Sequence, residues 1–235
     1  MRPQGVGATP NWKVQRGIFE SLTAAERAKQ LGNPEGAVGL AIAESLNETN
    51  RQGNAQIVTL LGVASGNHVL EIGFGNGRTA PDVIARAPNV RYVGIDISPT
   101  MVEEAARFNA SLVATGTTSF HLGSAERMPF ADASFDRVFS TGVAHFWSDP
   151  AAPLAEIRRV LRPGGVSLMG CLHPRNAPEF ARAEFGFHLR DAASWDALYR
   201  AAGFAEVTID TVEFEHITAD GTRIRRYVVH QMARA

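Results

Sequence analysis

The order of its apolar runs constrains this chain more than any single motif. From His68 onward, compact apolar stretches alternate with longer segments of helical period. That pattern belongs to repeated strand–helix units in a largely parallel sheet, because parallel neighbours need a long crossover between them. Strands are expected at 68–72, 91–96, 119–122, 135–140, 166–171, 206–210 and 223–230, with helices at 79–86, 99–108, 152–161 and 193–202. Ser98 before Pro99, and Asp191 before the last helix, supply helix-start signals. The final two strands stand too close for a crossover helix. Their connection "HITADGTRIRR", with Asp220 and Gly221 at its turn, predicts a hairpin and an antiparallel last strand. Two further helical stretches, 23–31 and 37–61, precede the core and are separated by the breaker "GNPEG".

The stretch "LEIGFGNGRTAPDV" opens the first strand–helix unit and carries Gly73, Gly75 and Gly77 behind Glu71. A glycine-rich turn between a strand and a helix brings backbone N–H groups and a helix N-terminus beside a ligand, and removing Cβ permits van der Waals contact. One glycine could simply serve a tight turn; three, with a carboxylate nearby, need more explanation. Asp96 ends the second strand where a nucleoside ribose would present its hydroxyls. NAD and other adenosine ligands fit these two features equally well.

Composition narrows the partner. The chain has 235 residues, 45% of them hydrophobic, and a formal net charge of −1. No clustered basic face is evident, so a nucleic-acid partner is not expected. No apolar run is long enough to span a bilayer, and the N-terminus lacks the apolar core of a secretory signal, so a cytoplasmic protein is expected. Cys171 is the sole cysteine and reads as a buried thiol. No Cys/His cluster or carboxylate triplet has metal-ligand spacing, and no metal is expected.

Four stretches, "VLEIGFGNGRTA", "YVGIDISPTMVEEA", "GSAERMPFADASFDRVFSTGVAHFW" and "EIRRVLRPGGVSLM", occur in order. Here the chain resembles the class I S-adenosylmethionine-dependent methyltransferases, particularly the small-molecule group that includes ubiquinone and menaquinone biosynthesis enzymes. The resemblance runs from about Asn54 to the end. It implies an α/β fold: a doubly wound, seven-stranded, mostly parallel Rossmann-like sheet with a C-terminal antiparallel hairpin and an N-terminal helical segment. Residues 1–62 would form a helical lid and 63–235 the methyltransferase core, with 172–190 as a substrate-cap insertion.

The same resemblance implies a cofactor site for S-adenosyl-L-methionine and its product S-adenosyl-L-homocysteine. The loop of Gly73, Gly75 and Gly77 would face the methionine part, Glu71 would orient its amino group, and Asp96 would hold both ribose hydroxyls. Ile97 and Met101 would sandwich the adenine; core packing explains Met101 equally well. Ser124 stands where many relatives carry aspartate and would contact the adenine amino group without a charge. The Ala125 amide would reach a ring nitrogen, Glu126 is a further candidate, and Thr141 and Gly142 occupy the place of carbonyls that hold the amino group. "LRPGG" reads as a helix stop and turn.

On the acceptor side, His145, Phe146 and Trp147 follow the fourth strand at the carboxyl edge, where doubly wound folds bind ligands. His145 and His173 are the candidate bases, since imidazole titrates near neutrality. Methyl transfer from a sulfonium needs alignment before it needs a base, and alignment can supply on the order of 7 to 11 kcal/mol. Trp12, Phe19, Phe180, Phe185 and Phe187 are candidates for an aromatic wall, and Arg182 and Arg190 for pairing with an acidic acceptor. The expected activity is methyl transfer to an O or N atom of a small, aromatic or heterocyclic metabolite by a monomer or homodimer. A nicotinamide-dependent oxidoreductase and a non-catalytic cofactor-binding protein are the alternatives. The first lacks a Tyr-x-x-x-Lys pair.

Overall fold

The computed structural model describes residues 17–175, 177–217 and 223–235. Trp12 and the turn at Asp220 and Gly221 lie outside them. The chain begins with α1 (Ala24–Gly32), opened by a capping box in which Thr23 and Glu26 exchange hydrogen bonds, followed by the long α2 (Gly36–Leu60). Strand–helix units then follow: β1 (His68–Ile72), α3 (Ala80–Ile84), β2 (Arg91–Asp96), α4 (Pro99–Phe108), α5 (Ala110–Ala114) and β3 (Thr118–Leu122). After these come β4 (Phe135–Thr141), α6 (Ala151–Val160), β5 (Leu161–Leu172), α7 (Ala192–Ala201), β6 (Glu206–Ile217) and β7 (Arg223–Arg234).

These strands form one seven-stranded sheet in the order β3-β2-β1-β4-β5-β7-β6. Pairing from β3 to β5 is parallel, whereas β7 runs antiparallel to both β5 and β6. The expected fold class is what the chain adopts. Because successive strand residues point to opposite faces, each apolar run fills two cores. Leu70, Val138 and Met169 pack with α6 and α7 on one side. Val69, Phe139 and Leu168 pack with the end of α2 and with α3 on the other.

Four local expectations change. The helix after the glycine loop is shorter, covering Ala80–Ile84, and α5 was not anticipated. "LRPGG" is the beginning of β5 rather than a free turn: Leu161 pairs with Phe135, and the register slips between Phe135 and Arg137. The cause is distant, since Gly164 N–H donates to the Ala235 carbonyl at 3.0 Å and Ala235 N–H to Gly165 at 3.1 Å. The hairpin strands are also longer than expected, and β7 runs on past its pairing with β5, which ends at Leu172 opposite Val228.

Candidate active site

The loops leaving the carboxyl ends of the parallel strands meet α2 around one cleft of about 680 Å³. Gly73, Gly75 and Gly77 all have positive φ, at 68°, 57° and 74°. Their surroundings differ. A Cβ on Gly73 would lie 2.3 Å from Val143 Cγ2, and one on Gly77 would lie 2.6 Å from Ala105 Cβ. One on Gly75 would meet no atom within 4 Å. Gly73 and Gly75 line the cleft, whereas Gly77 does not; its missing side chain lets the loop close on α4.

Two carboxyl groups lie behind this loop. Asp96, at the end of β2, accepts from Gly75 N–H at 3.0 Å and Ser98 N–H at 2.9 Å. Burial raises its pKa while these backbone donors oppose the rise. Glu71 is only 1% exposed and accepts a 2.5 Å hydrogen bond from the Tyr92 hydroxyl. Burial pushes Glu71 up to about 8; the Tyr92 hydrogen bond pulls against this and the nearby Asp96 charge adds to it. Ile97, Met101, Ser124, Ala125, Glu126, Thr141 and Gly142 complete this half of the lining. Ser124 Oγ accepts from Glu126 N–H at 3.2 Å.

The other half is aromatic. His145, Phe146 and Trp147 come from the 3-10 turn after β4, and Phe19, Phe180 and Phe187 approach from outside the sheet. The His145 ring stacks on Phe187 at 5.3 Å and 6°, and His188 N–H donates to the His145 carbonyl at 2.7 Å. Arg190 completes this closure by donating to the carbonyls of Trp147, Ser148 and His188. His145 is 4% exposed, and burial lowers its pKa to about 3. Its Nδ1 accepts from Leu172 N–H at 3.4 Å, which leaves the proton on Nε2. Neutral His145 is therefore a hydrogen-bond donor through its other nitrogen rather than a ready proton acceptor.

A methyltransferase-domain family matches residues 70–169, the span from β1 into β5. An O-methyltransferase of Aspergillus sclerotiorum, resE, is 33% identical over 168 residues, covering 68% of this chain and 63% of that protein. An O-methyltransferase of Pyrenophora dematioidea is 33% identical over 52% of this chain and 45% of its own length. The chain thus spans roughly half to two thirds of these relatives. Among solved structures, a chain from the Haloferax volcanii complex of the Trm112 methyltransferase activator with a methyltransferase superposes with a TM-score of 0.72. It is 23% identical and covers 83% of this chain and 93% of its own. The matched span begins at the glycine loop and the acidic strand ends around which the cleft is built.

The matched domain, the relatives and the fold together support a class I S-adenosylmethionine-dependent methyltransferase.

The cleft of this methyltransferase chain suits that cofactor chemically. Glu71 and Asp96 supply carboxyl groups for an ammonium and for hydroxyls, Gly75 leaves bare backbone, and Ile97 and Met101 offer apolar surface. Thr141 and Ser124 also reach the lining, and Ala125 is buried there.

Other expected residues lie elsewhere. His173 does not line the cleft, because β5 ends at Leu172 and the chain turns away; its Nδ1 accepts from Arg175 N–H at 2.9 Å. Phe185 is likewise absent from the lining and packs in a satellite cluster with Phe187 and Ala181. Arg182 pairs at 3.8 Å with Glu184. Sequence reasoning missed Tyr92, which reads as one more apolar strand residue. It also missed Glu44 on α2, whose Oε2 accepts from Asn47 at 3.1 Å, Asn76 at 3.4 Å and Arg78 at 3.1 Å. Among the described residues, no group of three or more His, Cys, Asp or Glu side chains is arranged to hold a metal ion, and no helix is long and apolar enough to cross a membrane.

Proposed function

We propose that this chain transfers a methyl group from S-adenosylmethionine to an oxygen or nitrogen of a small aromatic or heterocyclic metabolite by in-line displacement. The supporting observation is the continuity of one cleft from Glu71, Gly75 and Asp96 to the aromatic wall of Phe146 and Phe187. The cofactor, when bound, supplies an activated methyl group on a positively charged sulfur. Under this reading Glu71 takes its amino group and Asp96 its ribose hydroxyls, while Ile97 and Met101 flank the adenine and Ser124 and Ala125 meet its edge. Residues 1–62 act as a lid and 172–190 as a cap, keeping water from the aligned acceptor.

His145 shapes the acceptor pocket and donates a hydrogen bond; it does not remove a proton. The acceptor therefore reacts already ionised or already nucleophilic, or releases its proton to solvent. His173 has no part in this reading, given its place outside the lining. The strand order counts against a nicotinamide dehydrogenase, whose sixth strand extends a parallel 3-2-1-4-5-6 sheet, because here antiparallel β7 separates β5 from β6. The net charge of −1 favours a small acceptor over nucleic acid, and we read the protein as a cytoplasmic monomer or homodimer.

The first test is thermal. S-adenosylmethionine or S-adenosylhomocysteine, but not NAD, raises Tm, by an amount corresponding to about 2.7 kcal/mol at a hundredfold excess over Kd. A shift with NAD alone would overturn the cofactor assignment. Screening metabolite extracts with isotopically labelled cofactor then identifies the acceptor by its mass gain.

A further inference from the structure

Helix α2 crosses both halves of the cleft. Near its start Glu44 grips the glycine loop through Asn76 and Arg78. Near its end Ile57 packs on β5, with Ile57 Cδ1 only 3.1 Å from where a Gly170 Cβ would stand. At about 1.5 Å per residue, Asn54 lies roughly 15 Å along the axis from Glu44, over the half formed by β4, β5 and β7. On the turns between these anchors, Asn47, Asn50 and Asn54 all line the cleft. Asn47 is engaged by Glu44. Asn50 and Asn54 have no side-chain hydrogen bond to the described residues, so their amides are available to the cavity.

The local sequence "NETNRQGN" is a poor helix former: asparagine and glycine in a helix interior each cost several tenths of a kcal/mol or more relative to alanine. Such local conflict with the fold is what a binding surface tolerates. The facing strands and their turn contribute no Asp, Glu, Lys or Arg to the lining here; they offer His145, Phe146, Cys171, Tyr227 and His230. Burial keeps both histidines toward the neutral form. Two charged lining residues, Glu20 and Arg27, approach from the N-terminal side; Arg27 donates to the Leu22 and Glu20 carbonyls and covers the Phe19 ring. An amide both donates and accepts, so it matches a neutral hydroxyl, carbonyl or carboxamide without requiring charge.

We propose that Asn50 and Asn54 form an acceptor subsite that selects an uncharged aromatic molecule carrying a hydrogen-bonding group away from the atom to be methylated. The inference rests on the methyl-transfer reading and adds the class of acceptor. Three probes separate the possibilities in protein loaded with S-adenosylhomocysteine: 4-hydroxybenzamide, 4-hydroxybenzoate and 4-ethylphenol, titrated by ligand-observed NMR. The expected order has the benzamide at least fivefold tighter than either other probe. In Asn50→Leu/Asn54→Leu that preference over 4-ethylphenol falls to less than twofold, with S-adenosylhomocysteine affinity unchanged. If the double variant does not fold, Asn50→Ala carries the comparison, with at least a halving of the preference expected. Tightest binding of the benzoate would overturn the proposal in favour of anion selection by Arg27. A preference that survives substitution, or no probe binding at millimolar concentration, would also overturn it. Failure of S-adenosylhomocysteine itself to bind is a separate outcome, which overturns the methyl-transfer reading and the subsite with it.

Discussion

The two halves of the cleft are built by different means. The cofactor half comes from short contiguous pieces of chain, 71–76, 95–101 and 123–126, each at or directly after the end of a strand and held by backbone donors such as Gly75 N–H to the Asp96 carboxylate. The acceptor half is assembled from side chains scattered between Phe19 and His230, joined by ring stacking and by Arg190. Backbone geometry makes the first half intolerant of change. Side-chain packing makes the second adjustable, so the common chemistry is fixed where the acceptor is not.

Glycine substitutions should break the comparison most strongly. Gly77→Ala places a methyl group into Ala105 at positive φ and should destabilise the fold by about 2 to 4 kcal/mol. Gly75→Ala, strained in φ alone, should cost about 1 to 2 kcal/mol and show its main effect on S-adenosylhomocysteine affinity. Chemical denaturation and calorimetry distinguish the two, and equal stability losses with unaltered binding at Gly75 would contradict the assignment. Next in size, Asp96→Ala should weaken cofactor binding by about 1 to 3 kcal/mol; unchanged affinity would remove Asp96 from the site.

A pH series sharpens the contrast further. Glu71 keeps its proton longer in the folded chain than in the unfolded one, so its contribution to stability falls as pH rises toward about 8 and then levels off. The slope is at most about 1.4 kcal/mol per pH unit. His145 has the opposite slope between about 3 and 6.5, so the interval above 6.5 isolates the carboxyl groups. Glu71→Gln should flatten the denaturation midpoint between pH 6.5 and 8, whereas Tyr92→Phe should extend the decline upward; an unaltered slope in both would remove Glu71 as its cause. The smallest effect is expected at His145. His145→Gln should keep most turnover across pH, while a loss of about 10²-fold or more at neutral pH, recovering as the acceptor ionises, would make it the base.

The cofactor half was also the legible half. Glu71, Gly73, Gly75, Asp96 and Met101 are near neighbours in sequence, each with a strand end or helix start to place it. Gly77 has the same spacing but a different cause, a helix packing against it, which spacing cannot reveal. His173 misled because a place just past a strand end does not fix where a side chain points: its N–H donates to the Tyr227 carbonyl at 3.2 Å and its ring turns to the Arg175 N–H instead of the cleft. Tyr92 was invisible because a tyrosine inside an apolar strand announces burial and not the hydroxyl's partner. The asparagines of α2 are written plainly, yet only their opposition to β5 and β7 gives them a direction.

Helix α2 can be viewed as a beam. Its first supports are close together: Pro34 accepts from Ser98, Gly36 donates to Thr100 at 3.1 Å, and Glu44 takes its cluster of donors. The next is Ile57 against β5. Among the described residues, no side-chain hydrogen bond or ion pair ties the span between Asn47 and Ile57 to another element, and Gly53 sits within it. The braced end of the beam thus rests on the glycine loop, and the span without such braces lies over the aromatic half of the cleft.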